Sequence, residues 1–217
     1  MDTGRFGAAK AVRAIGSALG LALLLVITAC GDDATTTTTT VEREMTGYTR
    51  EPTPSVAAVQ LPVVGAAEPV AVTADPGNLR VVYFGYTSCP DVCPTTMSDL
   101  KRALAKLPAE QADRVGVVMV TVDPDRDVED KLAAYVATFI ADGAASRITD
   151  PAQLQSVAEA FGARYSVETL DDGEVEVSHT GDLYVVDDRG DIVLQWPFGT
   201  ASDDLAADLS AMLADRQ

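Results

Sequence analysis

Two short runs, Val81-Val82-Tyr83-Phe84 and Val115 to Val122, constrain the fold of this chain more than any other feature. Both are rich in β-branched residues and continuously apolar rather than alternating, the pattern of strands buried on both faces of a helix-covered sheet. Each is followed by apolar residues at helical spacing: Met97, Leu100, Leu104 and Leu107 after the first, and Leu132, Tyr135, Val136, Phe139 and Ile140 after the second. Strand, helix, strand, helix in that order predicts an α/β core built on parallel strands. Asp127 is expected to be the N-cap of the second helix.

A third helix is announced by Asp150-Pro151-Ala152-Gln153, which supplies an N-cap, a proline at the first helical position and a Gln at the third, and Gly162 suits its end after Phe161. The period then changes. Runs beginning at Asp182 and Asp191 flank the turn Asp187-Asp188-Arg189-Gly190 and predict a hairpin, and Leu205 to Leu213 predict a closing amphipathic helix. Gln60 to Val64 and Val70 to Thr73 are expected as edge strands. The order β-α-β-α(α)-β-β-α, parallel strands first and hairpin last, predicts a thioredoxin-like fold: a central mixed sheet flanked by helices.

The N-terminal region has a different character. Arg5, Lys10 and Arg13 precede the run AIGSALGLALLLVITA, which ends at Cys30, so residues 1–29 read as a lipoprotein signal peptide and Ile27-Thr28-Ala29-Cys30 as a bacterial lipobox. Cys30 is then the expected lipidation site, with palmitate among the acyl chains. An uncleaved transmembrane anchor starting near Ala11 is the alternative. Residues 30–56 include six consecutive threonines and little apolar content, and are expected to be a disordered tether; residues 57–217 are expected to form the folded domain.

Charge excludes one class of function. The chain carries a formal charge of −17, and removal of residues 1–29 leaves 13 basic against 32 acidic residues, or −19. Such a surface repels phosphate backbones and anionic headgroups, so nucleic acid is not an expected partner and contact with the membrane falls to the lipid.

Of three cysteines, two stand at Cys89 and Cys93, and the only histidine is His179. Pro94 fits the first turn of the helix after the first buried strand, which places Cys93 near the N-cap and Cys89 in the preceding turn. Both thiols are expected to face the positive end of the helix dipole and to be acidified by it. A plain disulfide stiffening the turn is the bland alternative, though so small a loop adds little stability. His179 precedes the first hairpin strand, and if that strand runs antiparallel beside Val81 to Phe84 its start lies next to the cysteines. Two thiolates and one imidazole suit Cu(I) or Cu(II) better than structural zinc, which normally recruits a fourth protein ligand. Met97 lies on the apolar stripe and is expected in the core, as are Trp196 and Phe198 in core or rim packing.

Three segments carry a family resemblance. Gly85-Tyr86-Thr87-Ser88-Cys89-Pro90-Asp91-Val92-Cys93-Pro94 resembles the signature of the Sco/SenC copper chaperones, Thr121 to Asp127 resembles that family's second motif, and Ser178-His179-Thr180 falls where its ligand histidine is expected. The likeness runs from about Leu61 to the end of the domain. It implies a thioredoxin-like protein tethered outside the cytoplasmic membrane that binds one copper through Cys89, Cys93 and His179 and assists assembly of the binuclear copper centre of cytochrome c oxidase. The implied partners are the copper-bearing oxidase subunit and another copper chaperone or thiol reductant. Asp91 resembles the family's acidic position, as an outer-sphere group or weak oxygen donor; a turn residue capping backbone amides is the other reading. Asp123 and Asp127 are expected to fix the strand-to-helix turn. Many family members are anchored by a transmembrane helix, where this chain reads as lipid-anchored.

Two other functions compete on the residues alone. A thiol:disulfide oxidoreductase would use the cysteine pair, although dedicated reductases use C-x-x-C and need no histidine. A lipoprotein that only binds a partner would explain neither the thiols nor the histidine.

Overall fold

A computed structural model describes residues 44–216. The proposed signal peptide, Cys30 and most of the threonine-rich segment lie outside the described residues. In chain order the elements are Gln60–Leu61 (β1), Val70–Ala71 (β2), Leu79–Gly85 (β3), Val92–Leu104 (α1), Ala109–Ala112 (α2), Val115–Thr121 (β4), Glu129–Phe139 (α3), Ala144–Ser146 (β5), Pro151–Phe161 (α4), Tyr165–Thr169 (β6), Val175–His179 (β7), Leu183–Val186 (β8), Ile192–Trp196 (β9) and Ser202–Ala214 (α5).

The central sheet has the order β5-β4-β3-β8-β9. β3, β4 and β5 run parallel, and β8 and β9 are antiparallel to their neighbours. The two continuous apolar runs are the two inner parallel strands, as their composition requires. Val81, Val82, Tyr83 and Phe84 are all buried, because alternate side chains on β3 meet helices on opposite faces. Phe84 packs edge-on against Phe161 of α4 and Tyr184 of β8. Tyr83 points the other way, toward Cys93 of α1.

Capping follows the sequence in α4 and departs from it in α3. Asp150 accepts a hydrogen bond from the Gln153 N–H at 2.7 Å, Pro151 occupies the first turn, and Gly162 closes the helix in the left-handed region at φ 74°. The N-cap of α3 is Val128, not Asp127, and it makes no side-chain cap. Asp127 is buried and its carboxylate is spent elsewhere, as described below. The edge strands shrink to two residues each and form their own pair, β1–β2, outside the central sheet. α2, β5 and the β6–β7 hairpin were not anticipated from the sequence.

Residues 45–56, expected in the tether, are laid along the free edge of β9. Tyr48 pairs with Gln195 and Ser55 with Asp191, and the Thr46 and Gly47 N–H groups donate to the buried Asp208 carboxylate, which also accepts from Trp196 Nε1. This strap covers an edge strand that would otherwise present unpaired backbone groups. Polar composition hid it, because between Met45 and Val56, which pack on the core, its attachment is mainly hydrogen bonding. Among the described residues, no helix is long and apolar enough to cross a membrane.

Candidate metal centre

The chain leaves β3 at Gly85 and enters α1 at Val92, so Cys89 lies in the connecting turn and Cys93 is the second helical residue. Pro94 is the third, where a helix needs no amide donor, so the proline is tolerated there. The side chain of the N-cap residue, Asp91, caps no backbone amide; it accepts from Thr95 Oγ1 at 3.3 Å and stands outside the thiol cluster.

His179 is the last residue of β7, where it pairs in register with Tyr165. The short link to β8 then brings it beside the C-terminal end of β3, since β8 runs antiparallel to β3 with Leu183 opposite Tyr83. The sulphurs of Cys89 and Cys93 and a ring nitrogen of His179 lie within 4.8 Å of one another. Cys93 Sγ is 3.3 Å from His179 Nε2, and the Cys93 N–H donates to Cys89 Sγ at 3.3 Å.

Hydrogen bonding sets the histidine tautomer. Nδ1 lies 3.0 Å from the Thr180 carbonyl oxygen, which can only accept, so Nδ1 carries the proton and Nε2 presents its lone pair to the sulphurs. Burial pushes the imidazole below its ordinary range, against opposing hydrogen bonds at Thr180 and Phe84, and keeps it neutral. Tyr83 and Tyr86 stand edge-on to the ring, with centroids 6.1 and 5.8 Å away, and hold its plane.

The two thiols differ, contrary to the expectation that both are acidified. Burial pushes Cys93, which is wholly enclosed, up to about 12, only partly opposed by the Tyr83 hydroxyl and the Tyr86 amide. Cys89 is less enclosed. Burial alone would raise it, but N–H groups of Cys93 and Asp91 and the Tyr86 hydroxyl outweigh that and hold it below the usual thiol range. The helix dipole acts on both; desolvation decides the inner one.

Asp127 braces the cysteine loop. Its carboxylate accepts from the Thr87 N–H at 2.9 Å, from the Thr87 hydroxyl and from Thr121 Oγ1 at 2.7 Å, with Lys131 Nζ at 3.4 Å. It therefore ties the turn carrying Cys89 to the end of β4. Asp123, also buried, pairs with Arg126 in the same turn. Met97 and Trp196 are core, and Phe198 is an exposed rim residue beside Gly181.

Sequence reasoning missed Thr87, Thr121, Tyr83 and Tyr86. A period-two signal was available for one of them: Tyr83 shares a strand face with Gly85, whose added Cβ would lie 2.6 Å from Tyr83 Cε1 and 3.1 Å from Cys93 Sγ. Only glycine lets the ring and the sulphur approach.

Fold and cluster together define a thioredoxin-like protein with a Cys-x-x-x-Cys and histidine centre. The SCO1/SenC family model matches residues 64–214, and the chain belongs to that family. The apo Sco1 protein of Thermus thermophilus is similar at 32% identity and TM-score 0.68, over 79% of this chain and 99% of that one. Bradyrhizobium japonicum ScoI, solved with copper bound, is similar at 27% identity and TM-score 0.59, over 72% and 96%. A Stutzerimonas stutzeri protein is 34% identical over 125 residues, 58% of this chain; the match spans 61% of that relative's length.

Proposed function

We propose that this protein is a copper chaperone, held by a lipid on Cys30 to the outer side of the cytoplasmic membrane, that binds one copper through Cys89, Cys93 and His179 and assists assembly of the binuclear copper centre of cytochrome c oxidase. The observation that carries it is the convergence of two sulphurs and a deprotonated imidazole nitrogen within 4.8 Å. That donor set is soft, lacks a fourth protein ligand among the described residues and matches copper's preference. Copper bound to Bradyrhizobium japonicum ScoI supports the choice of metal. The resemblance of the three sequence motifs supports the oxidase role.

The asymmetry of the thiols gives the cargo an order of binding. The more accessible, more acidic Cys89 meets copper first. Cys93 then gives up its proton as its sulphur binds, and His179 completes the set without losing one. Release to a partner reverses this, with Cys89 the first position open to an incoming ligand.

The same asymmetry favours a second reading, a thiol:disulfide oxidoreductase with Cys89 as nucleophile and Cys93 as resolving thiol. Copper titration of the reduced and of the oxidised full-length protein, with bound metal counted, separates the two. A chaperone takes up one copper when reduced and little when oxidised; a reductase that holds no copper in either state would displace the proposal.

A further inference from the structure

We propose that the Tyr83 hydroxyl is a positioning group of the metal centre, donating a hydrogen bond to the Cys93 sulphur when that sulphur is a metal-bound thiolate. The inference rests on the copper-chaperone reading and adds to it a residue outside the three ligands.

Tyr83 is wholly enclosed, and its hydroxyl makes no hydrogen bond of full geometry. Buried polar groups without partners are uncommon and call for a reason. The groups this hydroxyl faces are the Cys93 sulphur and the Thr96 hydroxyl. Thr96 Oγ1 already donates its proton to the Val92 carbonyl at 2.9 Å, so it has none to offer Tyr83. Toward Tyr83 the Thr96 oxygen can therefore only accept, so the Tyr83 proton has two acceptors in reach, that oxygen and the sulphur, and a sulphur carrying negative charge is the stronger of the two.

The sulphur has need of it. Cys93 is fully buried, and a buried thiolate is tolerated only where proton donors or a cation meet its charge. His179 presents a lone pair at Nε2, not a proton, and Cys89 Sγ is itself an acceptor of the Cys93 N–H. Among the groups that face Cys93, the Tyr83 hydroxyl supplies a side-chain proton and the Tyr86 amide a backbone one. The bare Cα of Gly85 admits the Tyr83 ring to this position, and edge contact with His179 fixes the ring. A neutral thiol accepts weakly; once a metal displaces its proton, the same contact becomes a charge-assisted hydrogen bond.

The test uses reduced full-length protein carrying Tyr83→Phe, with Tyr184→Phe as control. Tyr184 also has a buried, unpartnered hydroxyl, but it packs against Phe84 and Phe161 away from the thiols. Tyr83→Phe is expected to fold at least as stably without metal, because it removes an unsatisfied hydroxyl. It should also shift the Cu(II) thiolate-to-metal absorption to lower energy and weaken Cu(I) binding about tenfold, as loss of a hydrogen bond to a charged group predicts. Tyr184→Phe should leave absorption and affinity at wild-type values. Site-specific 3-fluorotyrosine at position 83, a stronger donor of nearly the same shape, should move the absorption to higher energy. Wild-type absorption and affinity in both position-83 variants would overturn this proposal alone. Absence of any thiolate absorption in copper-treated wild-type protein would overturn it together with the chaperone reading.

Discussion

His179 Nε2 stands 3.3 Å from Cys93 Sγ although the two residues are 86 apart in the chain. The contact joins the last residue of a peripheral hairpin to the first turn of α1, and it exists because β8 runs antiparallel to β3. The parallel half of the central sheet delivers the thiols, and the separate β6–β7 hairpin, joined to the antiparallel half through β8, delivers the imidazole.

Asp127 should prove necessary to that assembly. Asp127→Ala leaves the Thr87 N–H, the Thr87 hydroxyl and the Thr121 hydroxyl without their shared acceptor. Stranding buried donors of this kind costs about 3 kcal/mol. Urea unfolding of the reduced protein should show a loss of that order, with weakened copper binding. A loss under about 0.5 kcal/mol, the range of ordinary surface substitutions, would mean the loop does not depend on this brace.

The thiol asymmetry predicts selective alkylation. Iodoacetamide at neutral pH should modify Cys89 while the protein is folded and spare Cys93 until it is unfolded, because Cys89 is held below the usual thiol range and Cys93 is raised to about 12. Peptide mapping by mass spectrometry reads the ratio. Equal modification of the two in folded protein would contradict the burial argument.

Most of this arrangement was legible in sequence where a local rule acts alone. Continuous β-branched runs marked β3 and β4, and the Asp-Pro-x-Gln start and Gly162 marked α4, because composition and capping are local properties. Asp127 was misplaced as an N-cap because five chemically similar carboxylates stand at positions 123 to 130, and only tertiary contact decides which pairs and which is buried. The β6–β7 hairpin was missed for the opposite reason. Its strands do alternate, Tyr-Ser-Val-Glu-Thr and Val-Glu-Val-Ser-His, but they are short, carry few apolar residues and bury none of them fully, so the pattern is faint, yet the hairpin places His179. The Cys93 thiol was misjudged because helix position can be read locally and enclosure by Tyr83, Tyr86 and His179 cannot.

Acid should weaken the metal-free protein through His179. Burial holds its folded-state pKa below the ordinary value of 6.5, so below that pH the unfolded chain takes up the proton first and stability falls. His179→Gln removes this contribution. Between pH 7.5 and 5.5 the urea midpoint of wild type should therefore drop further than that of the variant. An equal drop, or a wild type that gains stability on acidification, would mean the imidazole is not held neutral.

The anchor is open to direct inspection. Mass spectrometry of membrane-extracted protein should find a lipid-modified N-terminal peptide beginning at Cys30 if Ile27 to Cys30 is the lipobox proposed. A mature protein that keeps Met1 would point to the transmembrane alternative.

The central claim is that two thiolates and His179 form one copper site, and it is tested most directly by Cu(II) titration of reduced wild type beside His179→Ala, Cys89→Ser and Cys93→Ser. Wild type should bind one copper with an intense thiolate-to-metal absorption. His179→Ala should weaken or shift that absorption and lower Cu(II) affinity more than Cu(I) affinity, since two thiolates alone can still hold Cu(I). Either cysteine substitution should abolish the absorption. If His179→Ala leaves the spectrum and both affinities at wild-type values while thiol exchange with a partner stays fast, the chaperone account is wrong and the oxidoreductase reading stands.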